Sequence, residues 1–227
     1  MPRRTQSRGQ CVFCLTSMTR SGLAKHLAKC SARQQRITQA DSQGGKQRVL
    51  YHLQVQDAWN GDFWLHLEMD GAARLIDLDD YLRAIWLECC GHLSQFSIGG
   101  WDGAAMNMKR KIADIFTPGA VVTHIYDFGT SSETLIKAVA TRMGQPLTKF
   151  PIFLMARNNP PEEVCMECSQ QASALCLECV YALEASGFLC DQHAKKHPHD
   201  NYGDPMPLVN SPRVGMCGYD GPAEPPY

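Results

Sequence analysis

The sequence has no apolar run of the ~18 residues that a membrane-spanning helix needs, so it predicts no transmembrane segment and no membrane partner. The basic N-terminal stretch is not followed by the apolar region of a secretory signal, so we expect a cytoplasmic protein. Charged residues make up only 20% of the 227 residues and hydrophobic residues 44%. This composition excludes a disordered chain and leaves room for one or two domains with a true core.

An excess of charge of one sign is also missing, since the formal net charge is −1, but the two signs are unevenly distributed. Residues 1–50 carry ten Lys or Arg and one acid, residues 51–157 carry nine and twelve, and residues 158–227 carry three and ten. A basic arm on an acidic body is typical of a segment that contacts a polyanion. The alternative is a solvated basic tail without a ligand.

The eleven cysteines are too regularly spaced for chance, and eight of them stand in CxxC pairs or close to histidines. Two thiolates separated by two residues can bind one tetrahedral zinc ion, whereas a disulfide framework needs neither CxxC pairs nor histidines. A thioredoxin-like redox role requires a βαβ context that none of these pairs has. The pattern therefore predicts zinc sites in a reducing compartment.

The N-terminal group predicts one zinc site in a segment of residues 1–32. Leu23, His26, Leu27 and Cys30 share one face of a short helix, and Met18 and Leu23 take the positions of the two core residues of a ββα finger. The segment looks like a Cys-Cys-His-Cys variant of the common zinc finger. Its predicted ligands are Cys11, Cys14, His26 and Cys30.

Such a finger has two possible ligands, nucleic acid or protein. Of the residues near the helix start, only Lys25 is a convincing DNA contact, and it suits a phosphate as well as a base. Basic side chains around it can supply salt-dependent backbone affinity. The predicted nucleic-acid-binding residues are Arg3, Arg4, Arg8, Arg20, Lys25, Lys29, Arg33 and Arg36.

The C-terminal group, within residues 158–200, offers eight ligands in a row, enough for two closed tetrahedral sites. Their order resembles the B-box, a cross-braced zinc module. That resemblance implies one zinc on Cys165, Cys168, Cys190 and His193, and another on Cys176, Cys179, His197 and His199. With the finger, this makes three predicted zinc ions, all structural because no site keeps an open position. In the alternative, Cys217 from the tail (residues 201–227) replaces one of the last two histidines.

The middle of the chain, residues 48–157, follows a Gln/Ser/Gly-rich linker predicted at 33–47. Alternating apolar residues predict strands at 48–56 and 62–69, with later strands at about 120–128, 132–141 and 150–157. Helical spacing from Leu78 to Leu93 and near 105–115 predicts two helices, the first capped by Asp77. We expect an α+β fold with packed helices on a mixed or antiparallel sheet, flanked by two small zinc modules.

Two runs carry a second resemblance. Leu78–Ile98, which contains His92-Leu93-Ser94-Gln95-Phe96, and Val122–Thr134, which contains Tyr126-Asp127-Phe128-Gly129, resemble a plasmid-encoded family of bacteria and archaea. The family is named for the third open reading frame of a root-inducing plasmid, and some members are passenger proteins of insertion elements. The similarity covers roughly residues 48–220. It implies a fold and a mobile-element context but no activity.

The sequence offers candidate catalytic groups without a nucleophile, base and orienter set. His66 and Glu68 share one strand face, which we interpret as solvated. Asp77, Asp79 and Asp80 are explained by capping, His92 by a structural role, and Cys89 by burial as a small hydrophobe.

We therefore expect a protein that is not an enzyme and has no small-molecule substrate. The leading hypothesis is a zinc-binding adaptor of a mobile element or defence locus. It would contact nucleic acid through the finger, and protein through the other two regions. The alternatives are a purely protein-binding module and a metal-dependent nuclease that uses Asp127 or His66.

Overall fold

A computed structural model describes residues 6–117 and 119–227 and shows an α+β fold built on one eight-stranded antiparallel sheet. The strand order is β2-β1-β8-β4-β3-β7-β6-β5, and a separate three-stranded sheet has the order β10-β9-β11. The strands are β1 Arg8–Cys11, β2 Ser17–Thr19, β3 Arg48–Asp57, β4 Trp64–Asp70, β5 Ser94–Ser97, β6 Val121–Tyr126, β7 Ser132–Gly144, β8 Ile152–Asn158, β9 Ala174–Leu175, β10 Phe188–Leu189 and β11 Met206–Pro207.

The helices are short. Those next to the large sheet lie on both of its faces, and the last two belong to the C-terminal module. None in the described part of the chain has the length and apolar character that crossing a membrane requires. The helices are α1 Arg20–Leu27, α2 Ser31–Ser42, α3 Leu75–Leu82, α4 Leu177–Tyr181 and α5 Asp191–Ala194, with a π-helical turn at Arg83–Leu87 directly after α3.

One face of the sheet carries the main core. The alternating residues of β3 and β4 that the sequence predicted to be buried, such as Leu53 and Leu67, pack with Leu78 and Trp86 of α3 and the π-helical turn. This face holds most of the buried large apolar residues in the described part of the chain, and its burial is the main driving force for the fold.

The opposite face of β4 differs from the prediction. His66 and Glu68 were expected on a solvated face, but β4 lies between β3 and β8 in the middle of the sheet, and both are buried together with Trp64. The reason is that the finger is not a separate structural unit. Its strand β1 pairs with β8 and extends the sheet, and its helix lies over this face.

The predicted linker at 33–47 is also different, because most of it forms the helix α2. Its polar composition suggested a loop, yet Gln, Arg and Ala are good helix formers when the side chains have somewhere to pack. Here Arg33 packs inward and Asp41 accepts a hydrogen bond from the backbone N–H of Gln145, so the segment lies against the sheet domain.

The two helices predicted in the middle of the chain are shorter than expected. The first ends in the π-helical turn, because Glu88 turns back to bind Arg83 and the hydroxyl of Tyr126, and Leu93 is left exposed before the edge strand β5. The second is reduced to a 3₁₀ turn at Ile112–Asp114. The chain before it follows the sheet edge, where the N–H of Met106 donates to the carbonyl of Phe96.

Candidate metal centres and their surroundings

The N-terminal ligand group comes together as the spacing predicts. Cys11 ends β1, Cys14 lies in the following turn, His26 is on α1 and Cys30 directly precedes α2. Their four ligand atoms lie within 4.8 Å of one another. Cys14 Sγ is 3.2 Å from His26 Nε2, and the Sγ atoms of Cys11 and Cys30 are 4.0 Å apart. Zinc bonds of about 2.3 Å to sulfur and about 2.0 Å to nitrogen place tetrahedral ligands about 3.5–3.8 Å apart, so one ion fits.

The first C-terminal group consists of Cys165, Cys168, Cys190 and His193. His193 Nδ1 lies 3.4 Å from the Sγ atom of Cys165, 3.5 Å from that of Cys168 and 3.3 Å from that of Cys190. The Sγ atoms of Cys168 and Cys190 are 3.9 Å apart. Cys190 comes from beyond the second ligand pair in the sequence, so this group joins the two ends of the module.

The second C-terminal group consists of Cys176, Cys179, His197 and His199. Cys179 Sγ lies 3.2 Å from His197 Nε2 and 3.2 Å from His199 Nδ1. These two groups have the interleaved pairing that the B-box resemblance implies. The alternative with Cys217 is wrong in geometric terms, because Cys217 lies beside Arg213 and Asp127 instead.

All three groups are positioned to bind metal ions, and each offers four protein ligands. Four sulfur or nitrogen ligands fill a tetrahedral site and leave no position for a reactive water. Hydrogen bonds from the side chain and backbone of Thr16 lower the pKa of the Cys14 thiol to about 6, which favours the thiolate that a metal requires. Burial acts in the opposite direction on Cys11 and raises its pKa to about 11.

The N-terminal group rests on a core that it shares with the sheet. Leu23 and Leu27 of α1 pack with Cys11, Cys30 and the indole of Trp64 from β4. The indole N–H of Trp64 donates to the hydroxyl of Ser7 at 2.8 Å, and Thr19 caps α1 by accepting from the N–H of Gly22. Nearby, Gly9 lies so close to the carbonyl of Arg157 and to the Trp64 ring that no Cβ fits there.

A buried polar layer lies between the finger and the sheet. His52 Nε2 is 2.8 Å from His66 Nδ1, and His66 Nε2 is 3.1 Å from the carbonyl of Arg20. Burial lowers the pKa of His52 to about 3 and that of His66 to about 4, so both are neutral at neutral pH. Beside them, Glu68 accepts from Arg33 at 3.1 Å and from Arg142 at 2.6 and 2.9 Å.

The predicted nucleic-acid contacts among the described residues are buried, half-buried or exposed. Arg33 is buried against Glu68 and the carbonyl of Leu27, so it holds the finger in place and is not available to a ligand. Arg20 is half-buried, and burial lowers its pKa. Arg3 and Arg4 lie outside the described residues. The exposed members are Arg8, Lys25, Lys29 and Arg36.

The candidate catalytic groups are mostly engaged. His66 is fully buried, Asp79 lies between Arg83 at 2.7 Å and His124 at 2.6 Å, and Asp127 is 2.7 Å from Arg213. Capping therefore explains Asp77, whose carboxylate accepts from the N–H of Arg74, but not Asp79. The sequence analysis missed Arg213, because a single arginine far along the chain carries no periodic signal.

Outside the three predicted centres, the described residues contain two smaller groups of possible ligands. Cys89, Cys90 and His92 form one, and His92, Asp127 and Cys217 form the other. Each has three possible ligands rather than four, and the two share His92.

No family model matches this sequence, and no curated protein is similar to it. Among solved structures, a protein of unknown function from Methanosarcina mazei is similar at 19% identity with a TM-score of 0.40. The similarity covers 46% of this chain and 66% of the archaeal protein. This chain therefore spans less than two thirds of the archaeal protein's length.

Proposed function

We propose that this chain is a zinc-stabilised adaptor that binds nucleic acid through its N-terminal finger segment and protein through its acidic C-terminal module. Three closed Cys/His groups support zinc as the metal, since mixed thiolate and imidazole ligands in fours are the usual structural zinc set. No catalytic step is assigned to any group. The plasmid-family resemblance would place such an adaptor in a mobile element or defence locus.

The observation that supports the nucleic-acid half is the set of unpaired cations on the finger segment and on α2, the helix that follows it. Lys25 and Lys29 on and after α1 and Arg36 on α2 are exposed, and none forms an ion pair within the described part of the chain. Arg8 is exposed as well, with its guanidinium fixed by the carbonyl of Ser17 at 2.7 Å. Exposed cations without acidic partners are what phosphate contacts need.

The experiment is a salt titration of binding by fluorescence anisotropy, using a labelled DNA duplex and an RNA of equal length. We expect log Kd to rise with log salt, and Lys25→Ala with Lys29→Ala to reduce the slope by about 1–2, since each phosphate contact contributes about 0.9. The matched control is Lys195→Ala with Lys196→Ala, which removes two exposed lysines from the acidic module.

Equal effects of the two double variants would show that only net charge matters and would overturn the assignment to the finger. Absence of binding at low salt would overturn the nucleic-acid half altogether.

A different observation favours the protein-binding half. Tyr181 and Leu183 on the acidic module and Tyr202 just after it are each more than half exposed, and the two tyrosine rings lie 6.3 Å apart. Exposed aromatic and aliphatic groups together are typical of protein contacts. We expect a partner that stays bound after nuclease treatment and is lost with Leu183→Glu. Val139→Glu, at an exposed apolar residue of β7, is the control for a nonspecific effect of the charge.

A further inference from the structure

Three thiols lie outside the three four-ligand groups, and the fold brings two of them to one arginine. Cys89 follows the π-helical turn, and Cys217 lies in a 3₁₀ turn, Met216–Gly218, near the end of the chain. Arg213 Nε is 3.4 Å from Cys89 Sγ, and Arg213 Nη2 is 3.5 Å from Cys217 Sγ. Both sulfur atoms therefore lie beside the same guanidinium group.

Arg213, the arginine beside the two thiols, is fixed in place by several other contacts. Its side chain is fully buried, Nη2 donates to Asp127 at 2.7 Å, and Nη1 donates to the carbonyl of Thr130 and the hydroxyl of Ser132. Its guanidinium also lies 4.8 Å from the ring centre of Tyr126. Partial burial raises the pKa of the Cys217 thiol, and the charge of Arg213 acts against this shift. A fixed cation also opposes a second cation at the same place. This distinguishes the pair from the metal centres.

The two thiols also differ in access. Cys217 is exposed, with a positive φ of 51° between Gly215 and Gly218, which have positive φ as well. Cys89 is half-buried, and its sulfur lies 3.9 Å from the hydroxyl of Tyr126. A small solute can therefore reach the pair from the Cys217 side.

We propose that Cys89 and Cys217 are a peroxide-reactive dithiol that closes to a reversible disulfide. The Cys89 thiolate attacks one peroxide oxygen, so that an S–O bond forms, the O–O bond breaks and the leaving oxygen takes a proton as water or an alcohol. The Cys217 thiolate then attacks the sulfenic sulfur, an S–S bond forms, and the departing hydroxide takes a proton as water. The two thiols supply the two electrons that reduce the peroxide.

The bond would tie the C-terminal tail to the end of the helical segment on the main core. The tail is already docked there, since the Ser211 hydroxyl donates to the carbonyl of Trp86 at 2.5 Å and Arg157 donates to the carbonyl of Asn210 at 2.5 Å. The disulfide would therefore join two segments that already lie against each other in the fold.

The test treats the full-length zinc-loaded protein with one equivalent of hydrogen peroxide and follows intact mass, zinc release and tryptic peptides. We expect a loss of about 2 Da with zinc retained, and a cross-link between the peptide that contains Cys89 and the one that contains Cys217. Cys89→Ser and Cys217→Ser should each abolish the cross-link. Cys90→Ser, the adjacent matched control, should leave its yield unchanged, and dithiothreitol should reverse it.

A cross-link that survives Cys89→Ser, a disulfide between Cys89 and Cys90, or zinc release at the same rate as the mass loss would each overturn the proposal. Circular dichroism and zinc content of each variant show that it is folded, so a lost cross-link reports on the chemistry. The readouts do not involve nucleic-acid or protein binding, and they are independent of the proposed function.

Discussion

The finger and the C-terminal module hold their candidate metal groups in opposite ways. The finger extends the large sheet through β1 and β8, and its helix shares a core with Trp64 and Met155 of the sheet. The module has two-residue strands, and its buried cluster consists of Cys165, Cys176, Cys179, Cys190 and a single leucine, Leu189. The same ligand chemistry therefore has a prebuilt scaffold in one region and little apolar support in the other.

This difference shows how much of the folding free energy a metal must provide. A segment that buries few large apolar groups is stabilised chiefly by its metal, whereas a segment that packs on a sheet retains stability without one. The stability of the two regions should therefore respond differently to removal of the metal and to loss of core packing.

The largest effect is expected from metal removal. A strong chelator should unfold residues 158–200 but leave the large sheet folded, because structural zinc binding is worth roughly 10–16 kcal/mol in small modules. Hydrogen exchange with peptide-level mass spectrometry measures this. We expect loss of protection across β9, α4 and β10, and retained protection in β3 and β4. Simultaneous loss of protection in the module and in β3 and β4 would contradict the comparison.

The next effect is expected from packing under the finger. Trp64→Ala should lower the free energy of unfolding by about 3–5 kcal/mol even with zinc present, because it empties the core shared by finger and sheet. Trp59, which is 74% exposed, provides the matched control, and Trp59→Ala should cost under about 0.5 kcal/mol. Urea denaturation measures both. Equal costs would mean that the finger does not share the sheet core.

A smaller effect is expected from pH. His52 and His66 have pKa values of about 3 and about 4 in the folded chain, below the usual 6.5, so the unfolded chain takes up protons first as the pH falls. Stability should therefore decline below pH 6.5, by up to about 1.4 kcal/mol per pH unit for each imidazole. Urea midpoints between pH 7 and 5 test this.

The control for the pH effect is the difference between variants, since any metal ligands titrate in all of them. His52→Gln with His66→Gln should flatten the decline, while His92→Gln, at a partly exposed histidine, should not. An unchanged slope in the double variant would show that these imidazoles are not the cause.

Several features follow from residue pattern alone. The strands around Leu53, Leu67 and Ile136 were predictable because alternation records which face is buried. The ligands were predictable because CxxC pairs and nearby histidines fix ligand geometry locally. The division of the C-terminal ligands into two groups was implied only by the resemblance to the B-box. The solvated face assigned to His66 and Glu68 was wrong, since polar residues on a strand look the same whether water or a charged partner faces them.

The sequence by itself determined the fold class, the apolar face of the sheet and the candidate metal ligands, because these depend on short-range periodicity and spacing. Only the tertiary structure decided that Arg33 is a buried partner of Glu68, that the finger extends the sheet, and that Arg213 lies between Cys89 and Cys217. Each of these pairs residues far apart in the chain, and burial by a distant segment leaves no trace in local sequence.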